Sequence, residues 1–383
     1  MLNEDVRWMK RALKEALKGW GTTSPNPLVG AVIVKNGSML GAGYHVKAGQ
    51  PHAEVNAIAS CGRKSLRGST IYVTLEPCCT FGRTPPCTEA ILNAGISRVV
   101  FGCTDPNPKH AGRAAEILRS HGVEVTFPVC EDACRRLNEP FFKWISTGKP
   151  FVLLKMAQTL DGKIATRDGI SQWITGETAR QRVQKLRTRA DAVMAGAETF
   201  RLDHPRFTVR DKNGSVLKTP RRIIVTGHPE SFSSPDFEFV SLPDTSAWDA
   251  YLRKLGSENV TAVLIEGGGT LAASALAARA VDRIEFHIAP KILGAADLGA
   301  VHLHDQIPYG KARLPRRRDR ALGRVHLAEA RDEHAVGADL DADGLAADEQ
   351  LIRPDAGREH KKQKAAHRRG DPLFHRKISS LCV

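Results

Sequence analysis

The residues with the most chemical potential lie between positions 52 and 87. His52-Ala53-Glu54 is followed by Glu76-Pro77-Cys78-Cys79, and Cys87 comes after Thr84-Pro85-Pro86. One imidazole and two thiolates suit Zn²⁺, which takes such ligands and can keep its fourth position open to water. A metal in that position lowers the pKa of its water toward about 7 and so makes a nucleophile at neutral pH. A carboxylate that is not a ligand must then carry a proton from the water to a leaving amine, and Glu54 is the candidate. His-x-Glu followed by Pro-Cys and a second cysteine therefore reads as hydrolytic deamination of a nucleobase. The spacing is unusual, with eight residues between Cys78 and Cys87 and a competing thiol at Cys79. A purely structural zinc site is the alternative; it would want a fourth protein ligand and would leave Glu54 without a role.

These residues need particular supports. Positions i and i+2 lie about 200° apart on a continuous helix. His52 must therefore stand just ahead of a helix whose first turn carries Glu54, and Pro51 fits that entry. Cys78 follows an apolar, β-branched run at 70–75, and Cys87 should open a helix whose positive end favours its thiolate. An amphipathic first helix, strands near 28–34, 37–44, 98–102 and 123–127, and helices near 53–60, 87–94, 112–121 and 130–138 complete the pattern. Strands separated by helices imply a three-layer α/β sandwich. Cys130 and Cys134 read as small core residues on one of those helices.

Thr147-Gly148-Lys149-Pro150 is the expected joint, dividing a deaminase region at 1–146 from a second α/β region at 150–300. Strands are expected at 151–155, 191–195, 222–226, 262–266 and 283–289, with helices at 177–189, 246–255 and 270–279. The polar stretch 201–220 should be a loop over a site. Glu266-Gly267-Gly268-Gly269-Thr270 closes a strand and opens a helix. Its glycines would let backbone N–H groups approach a phosphate, although a tight turn alone explains them equally well. Arg187 and Arg210 could clamp a phosphate. Residues 311–383 are charged and aromatic-poor, with little apolar periodicity, and are expected to be disordered or poorly packed. The break in composition near 300–315 reads either as a reading-frame shift that would leave the second region incomplete or as a genuine lineage-specific tail.

The chain has 383 residues, 42% of them hydrophobic, and a formal net charge of +14. That is a globular composition of about two domains. No apolar run is long enough for a membrane span and no leader is evident, so the cytoplasm is expected. The eight cysteines then favour metal binding or burial over a disulfide framework. The positive charge could suit nucleic acid, but the low aromatic content and the lack of basic–aromatic interleaving near the metal motif argue against a base-stacking surface.

Further residues carry a resemblance to a known family. They are Thr23-Ser24-Pro25-Asn26-Pro27-Leu28-Val29-Gly30, Gly43-Tyr44-His45, Gly49-Gln50-Pro51-His52-Ala53-Glu54, Gly82-Arg83-Thr84-Pro85-Pro86-Cys87 and Asp105-Pro106-Asn107-Pro108. In the second region they are Lys155, Leu160-Asp161-Gly162-Lys163, Ser171-Gln172-Trp173-Ile174-Thr175 and the run from Thr199 to Arg210. Over roughly residues 3–295 the chain closely resembles the bifunctional riboflavin-biosynthesis deaminase–reductases. The resemblance implies a cytidine-deaminase-like domain followed by a dihydrofolate-reductase-like one. It implies removal of an amino group from a phosphorylated diaminopyrimidine, then reduction of its ribose by NADPH.

The resemblance implies a role for Asn26 in positioning the pyrimidine and contacts from Ser171, Arg187, Phe207, Arg210 and Glu266 to substrate. It places Ala157, Trp173, Thr199, Asp203, Gly268, Gly269 and Thr270 against NADPH. It also allows a homo-oligomer through the reductase half. Many members have Ser-His where this chain has Cys79-Thr80. The alternatives are a deaminase with a defective reductase half, or a nucleic-acid-editing deaminase.

Overall fold

The computed structural model describes residues 2–81, 85–108, 110–171, 173–211, 213–294, 298–299 and 325–329. The first half begins with α1 (Leu2–Ala16), then β1 (Gly30–Lys35), β2 (Ser38–Tyr44), α2 (Ala53–Ser60), β3 (Thr70–Val73) and α3 (Cys87–Asn93). It continues with β4 (Arg98–Phe101), α4 (Arg113–Ser120), β5 (Glu124–Thr126), α5 (Glu131–Leu137) and α6 (Glu139–Thr147). Its sheet runs β2-β1-β3-β4-β5. β1 is antiparallel to both neighbours, and β3, β4 and β5 are parallel.

Alternation along β1 explains the layering. Ala31 and Ile33 join a core with Ala53 and Ala57 of α2 and Ile91 of α3. Val32 and Val34 are buried as well, and α1, whose Met9, Ala12, Leu13 and Ala16 are buried, packs against β1. That packing is close: a Cβ on Gly30 would lie 2.1 Å from the Ala12 carbonyl oxygen.

The second half comprises β6 (Phe151–Thr159), β7 (Lys163–Ala165), α7 (Glu177–Arg189), β8 (Ala192–Gly196), α8 (Ala197–Asp203), β9 (Val209–Arg210), β10 (Val216–Lys218) and β11 (Arg221–Val225). Then come β12 (Glu238–Val240), α9 (Thr245–Ser257), β13 (Ala262–Glu266), α10 (Gly269–Ala277), β14 (Arg283–Ala289), β15 (Leu298–Gly299) and β16 (Val325–Glu329). Seven parallel strands form its sheet in the order β12-β11-β8-β13-β6-β14-β16. Along β8, Ala192 and Met194 join the core under α9 and α10, while Val193 and Ala195 join the one that holds Leu186 of α7. Both faces are covered, as in other parallel sheets.

The stretch 201–220 is not simply a loop, because it contains the end of α8 and the β9–β10 hairpin. Of residues 311–383, the strand 325–329 pairs with β14; the rest of that segment, and the proposed break at 300–315, lie outside the described residues. Among the described residues no helix is long and apolar enough to cross a membrane.

The two halves meet through specific bonds. Lys143 pairs with Asp282 at 2.5 Å, Arg283 with Glu139, and the Trp144 indole N–H donates to the Gly256 carbonyl at 2.8 Å. Arg189 donates to the Leu137 carbonyl at 2.9 Å and covers the Trp20 ring.

Candidate metal centre and reductase crevice

His52 caps α2 from an extended conformation (φ −74°, ψ 169°), and Glu54 lies in the first turn. Cys78 follows the end of β3, and Cys87 is the first residue of α3. The Nδ1 of His52 lies 3.4 Å from each of the Cys78 and Cys87 sulfurs, and all three donor atoms fall within 4.8 Å of one another. In a tetrahedral site with ordinary Zn–S and Zn–N bonds, sulfur and nitrogen stand about 3.6 Å apart, so the donor set fits Zn²⁺. Cys79 is turned away, its sulfur 3.7 Å from His110 Nδ1.

The electrostatics match a cation site. The hydrogen bond from Cys87 draws the Cys78 thiol well down, aided by His52. The same bond pushes Cys87 up, and the bond to Cys78 raises His52. Two thiols and an imidazole this close share protons that a divalent cation would replace. The backbone N–H of Cys87 donates to the Cys78 sulfur at 3.3 Å. Glu54 is buried, and burial pushes its carboxyl up to about 7, with the Cys78 sulfur adding to the rise.

Two supports around the centre were not evident from the sequence. Glu76, buried just before Pro77-Cys78, accepts the backbone N–H groups of Asp105, Gly112 and Ala114 at 3.2, 2.9 and 3.1 Å. It thereby pins the loop that carries His110 to the end of β3. His45 Nδ1 lies 3.2 Å from the Pro51 carbonyl, which can only accept, so that nitrogen carries the proton. Its Nε2 then accepts from the Asn26 amide at 3.0 Å, which fixes the way Asn26 points. A cleft of about 410 Å³ opens here, lined among others by Asn26, His52, Cys78, Thr80, His110 and Asn259. Gly82, Arg83 and Thr84 of the intervening loop lie outside the described residues.

The second half gathers charged groups where its parallel strands end. Arg187 holds Glu266 by two bonds, 2.6 and 2.9 Å, and lies over the Phe207 ring. Arg187 and Glu266, both read from the sequence as ligand contacts, are therefore each other's partners. Arg210 Nε donates to the Thr208 hydroxyl at 2.9 Å, and the Ser171 hydroxyl to Asp203 at 3.3 Å. Lys155 is paired in register with Glu266 on one side and Glu285 on the other. Arg182 donates to both oxygens of Glu285, at 3.0 and 3.3 Å. Glu285 and Arg182 belong to none of the motifs in the sequence. The signal available was a lysine and a glutamate inside the strand patterns 151–155 and 283–289.

A Cβ built on Gly267 or Gly268, both at positive φ, would lie 3.5 or 3.6 Å from the Thr199 hydroxyl. One on Gly268 would also lie 4.0 Å from the Gly196 amide. Bare backbone thus gathers at the carboxyl ends of adjacent strands β8 and β13, with Gly269 and Thr270 opening α10. This is where parallel α/β sheets take nucleotides, and bare backbone at a helix start suits the phosphates of a dinucleotide such as NADPH. Ala157 lies on β6, and Trp173 is exposed with Arg180 over its ring.

Comparison with known proteins agrees with both halves. Residues 2–103 match the cytidine and deoxycytidylate deaminase zinc-binding region, and residues 150–306 match the RibD C-terminal domain. The riboflavin biosynthesis protein RibD of Aquifex aeolicus is 40% identical over 338 residues, covering 81% of this chain and 95% of that protein. RibD of Actinobacillus pleuropneumoniae is 42% identical over 320 residues, covering 76% and 85%. The structure of Acinetobacter baumannii RibD superposes with a TM-score of 0.72 at 37% identity, covering 82% of this chain and 94% of that one. A diaminohydroxyphosphoribosylaminopyrimidine deaminase/5-amino-6-(5-phosphoribosylamino)uracil reductase from Thermotoga maritima gives 0.72 at 36%, covering 80% and 93%. With a metal-type donor set in one half and a nucleotide-type crevice in the other, this chain belongs to the RibD family of riboflavin biosynthesis proteins.

Proposed function

We propose that the chain carries out two successive steps of riboflavin biosynthesis. The first half removes an amino group from 2,5-diamino-6-ribosylamino-4-pyrimidinone 5′-phosphate by hydrolysis. The second half, residues 150–300, reduces the ribosyl group of the product to a ribityl chain. The observation that carries the reading is a buried, non-ligating Glu54 beside three donor atoms spaced for zinc.

His52, Cys78 and Cys87 hold the metal, which when bound supplies a Lewis acid that activates water. Glu54 takes a proton from the attacking water and returns it to the departing amine. Its place in the first turn of α2, two residues after His52, sets it beside the metal donors. Asn26, held by His45, orients the pyrimidine. In the second half NADPH supplies the hydride. Ser171, Arg187, Phe207, Arg210 and Glu266 orient the sugar phosphate. Ala157, Trp173, Thr199, Asp203 and the turn Gly268-Gly269-Thr270 hold the cofactor. A cytoplasmic setting, where thiols stay reduced, belongs to the same proposal.

The test supplies purified, zinc-loaded protein with the diaminopyrimidine phosphate and NADPH. Ammonia release followed by stoichiometric NADPH oxidation is expected. No ammonia from protein carrying one zinc per chain would overturn the first assignment. Ammonia without NADPH oxidation, even when the deaminated intermediate is supplied, would overturn the second.

A further inference from the structure

The deamination cleft has one wall that does not belong to the first half. Among its described lining residues, Asn259 alone comes from beyond the joint, in the turn between α9 and β13. That turn is held on the first half from both sides. On one side the Trp144 indole donates to the Gly256 carbonyl, and Gly256 sits so close that a Cβ there would lie 1.9 Å from the Gly148 oxygen. On the other side Thr261 and Ser24 have their hydroxyl oxygens 3.3 Å apart. The Thr261 hydroxyl donates its single hydrogen to Asp191 at 2.8 Å, so Ser24 is the donor in that pair. Ser24 precedes Pro25 and Asn26, both in the cleft lining. The second half thus grips the segment that carries Asn26.

Asn259 itself has φ +63°, and its N–H donates to the Gly256 carbonyl at 3.1 Å. An asparagine tolerates this conformation better than most residues. It could serve as nothing more than the end of α9. Its place in the cleft wall argues for more. The base must meet His52 and Cys78 for chemistry to occur, and a pyrimidine alone would not fill about 410 Å³. The remaining volume falls to the ribosyl-phosphate arm, and a neutral amide suits sugar hydroxyls or phosphate oxygens.

We infer that Asn259 is a substrate-binding residue of the deamination site, its side-chain amide engaging the ribosyl-phosphate arm; this rests on the deaminase reading given above. The reductase half is then part of the deaminase's binding surface.

Asn259→Gly removes the amide while keeping a residue that adopts positive φ at no cost. Steady-state ammonia release by the zinc-loaded full chain should show KM raised about tenfold with kcat within about twofold, as for a lost hydrogen bond to a charged or polar group. Asn259→Asp keeps the shape but places negative charge near the phosphate, and should raise KM further. Zinc content, thermal unfolding and NADPH oxidation with supplied intermediate verify the fold of both variants. Unchanged KM in both variants, or a fall in kcat alone, overturns the inference. Wild-type protein that releases no ammonia would instead defeat the functional reading, so the two failures are distinguishable.

Discussion

The two sites solve opposite electrostatic problems. In the first half two thiols, an imidazole and a carboxylate crowd together, and of these four groups only the His52 imidazole, raised by its bond to Cys78, can carry positive charge. In the second half each buried acid among the described residues has a basic partner: Glu266 has Arg187, Glu285 has Arg182, and Lys155 lies between the two acids across three strands. The first arrangement is incomplete until a cation arrives; the second is neutralised by its own side chains before any ligand binds. A cation would thus complete one site, whereas the arrangement of the other is set by strand register.

Three perturbations would break or sharpen that contrast. The largest effect is expected at the metal centre. Glu54→Gln should keep one zinc per chain yet lower the rate of ammonia release by about 10³–10⁴-fold, the upper range for a general acid–base group. Cys87→Ser should lose both zinc and activity. Metal analysis beside the ammonia assay separates the two, and normal deamination by Glu54→Gln would remove its assigned role.

Next in size is Glu266→Gln, which leaves the Arg187 guanidinium half-satisfied in a buried setting. NADPH oxidation should fall by about 10–100-fold, from a loss of roughly 1.5–3 kcal/mol of charge-assisted bonding. Ammonia release should be retained. Equal loss of both activities would show that the two sites are not electrostatically independent.

The third effect falls on stability, outside the working pH range of either activity. Burial works to raise Glu285, but hydrogen bonds from His287 and Arg182 prevail and hold it down near 2. A carboxyl depressed in the folded state contributes stability that is fully present above its ordinary pKa near 4.5 and disappears as pH falls toward 2. Acid unfolding of Glu285→Gln should be flatter over that window than that of the parent, by on the order of 2–3 kcal/mol. An identical slope would mean the pair is already open to solvent.

The metal centre could be read from the sequence because its constraints are local. The 200° separation of positions 52 and 54 forces His52 out of the helix, and the structure places it at the N-cap. Cys87 opens α3 as its proline-rich approach suggests. Strands 262–266 and 283–289 and helices 53–60 and 177–189 likewise follow from short-range pattern. Three features could not be read that way. The pairing of Lys155 with Glu266 and Glu285 depends on β6 lying between β13 and β14, a tertiary order that no local periodicity encodes. Glu76 resembles a motif residue until its three backbone donors, 29 to 38 positions away, are known. Asn259 carries no sequence signal at all, since its significance arises only where two halves touch.

The Ser24–Thr261 bond spans 237 positions of chain, which has a consequence for biogenesis. Protein synthesis runs from the amino end at about 5–20 residues per second. A nascent deaminase half therefore waits on the order of ten seconds before the turn that walls its cleft leaves the ribosome. If Asn259 binds the sugar-phosphate arm, a chain cut short of it would carry His52, Cys78 and Cys87 without that wall of the cleft.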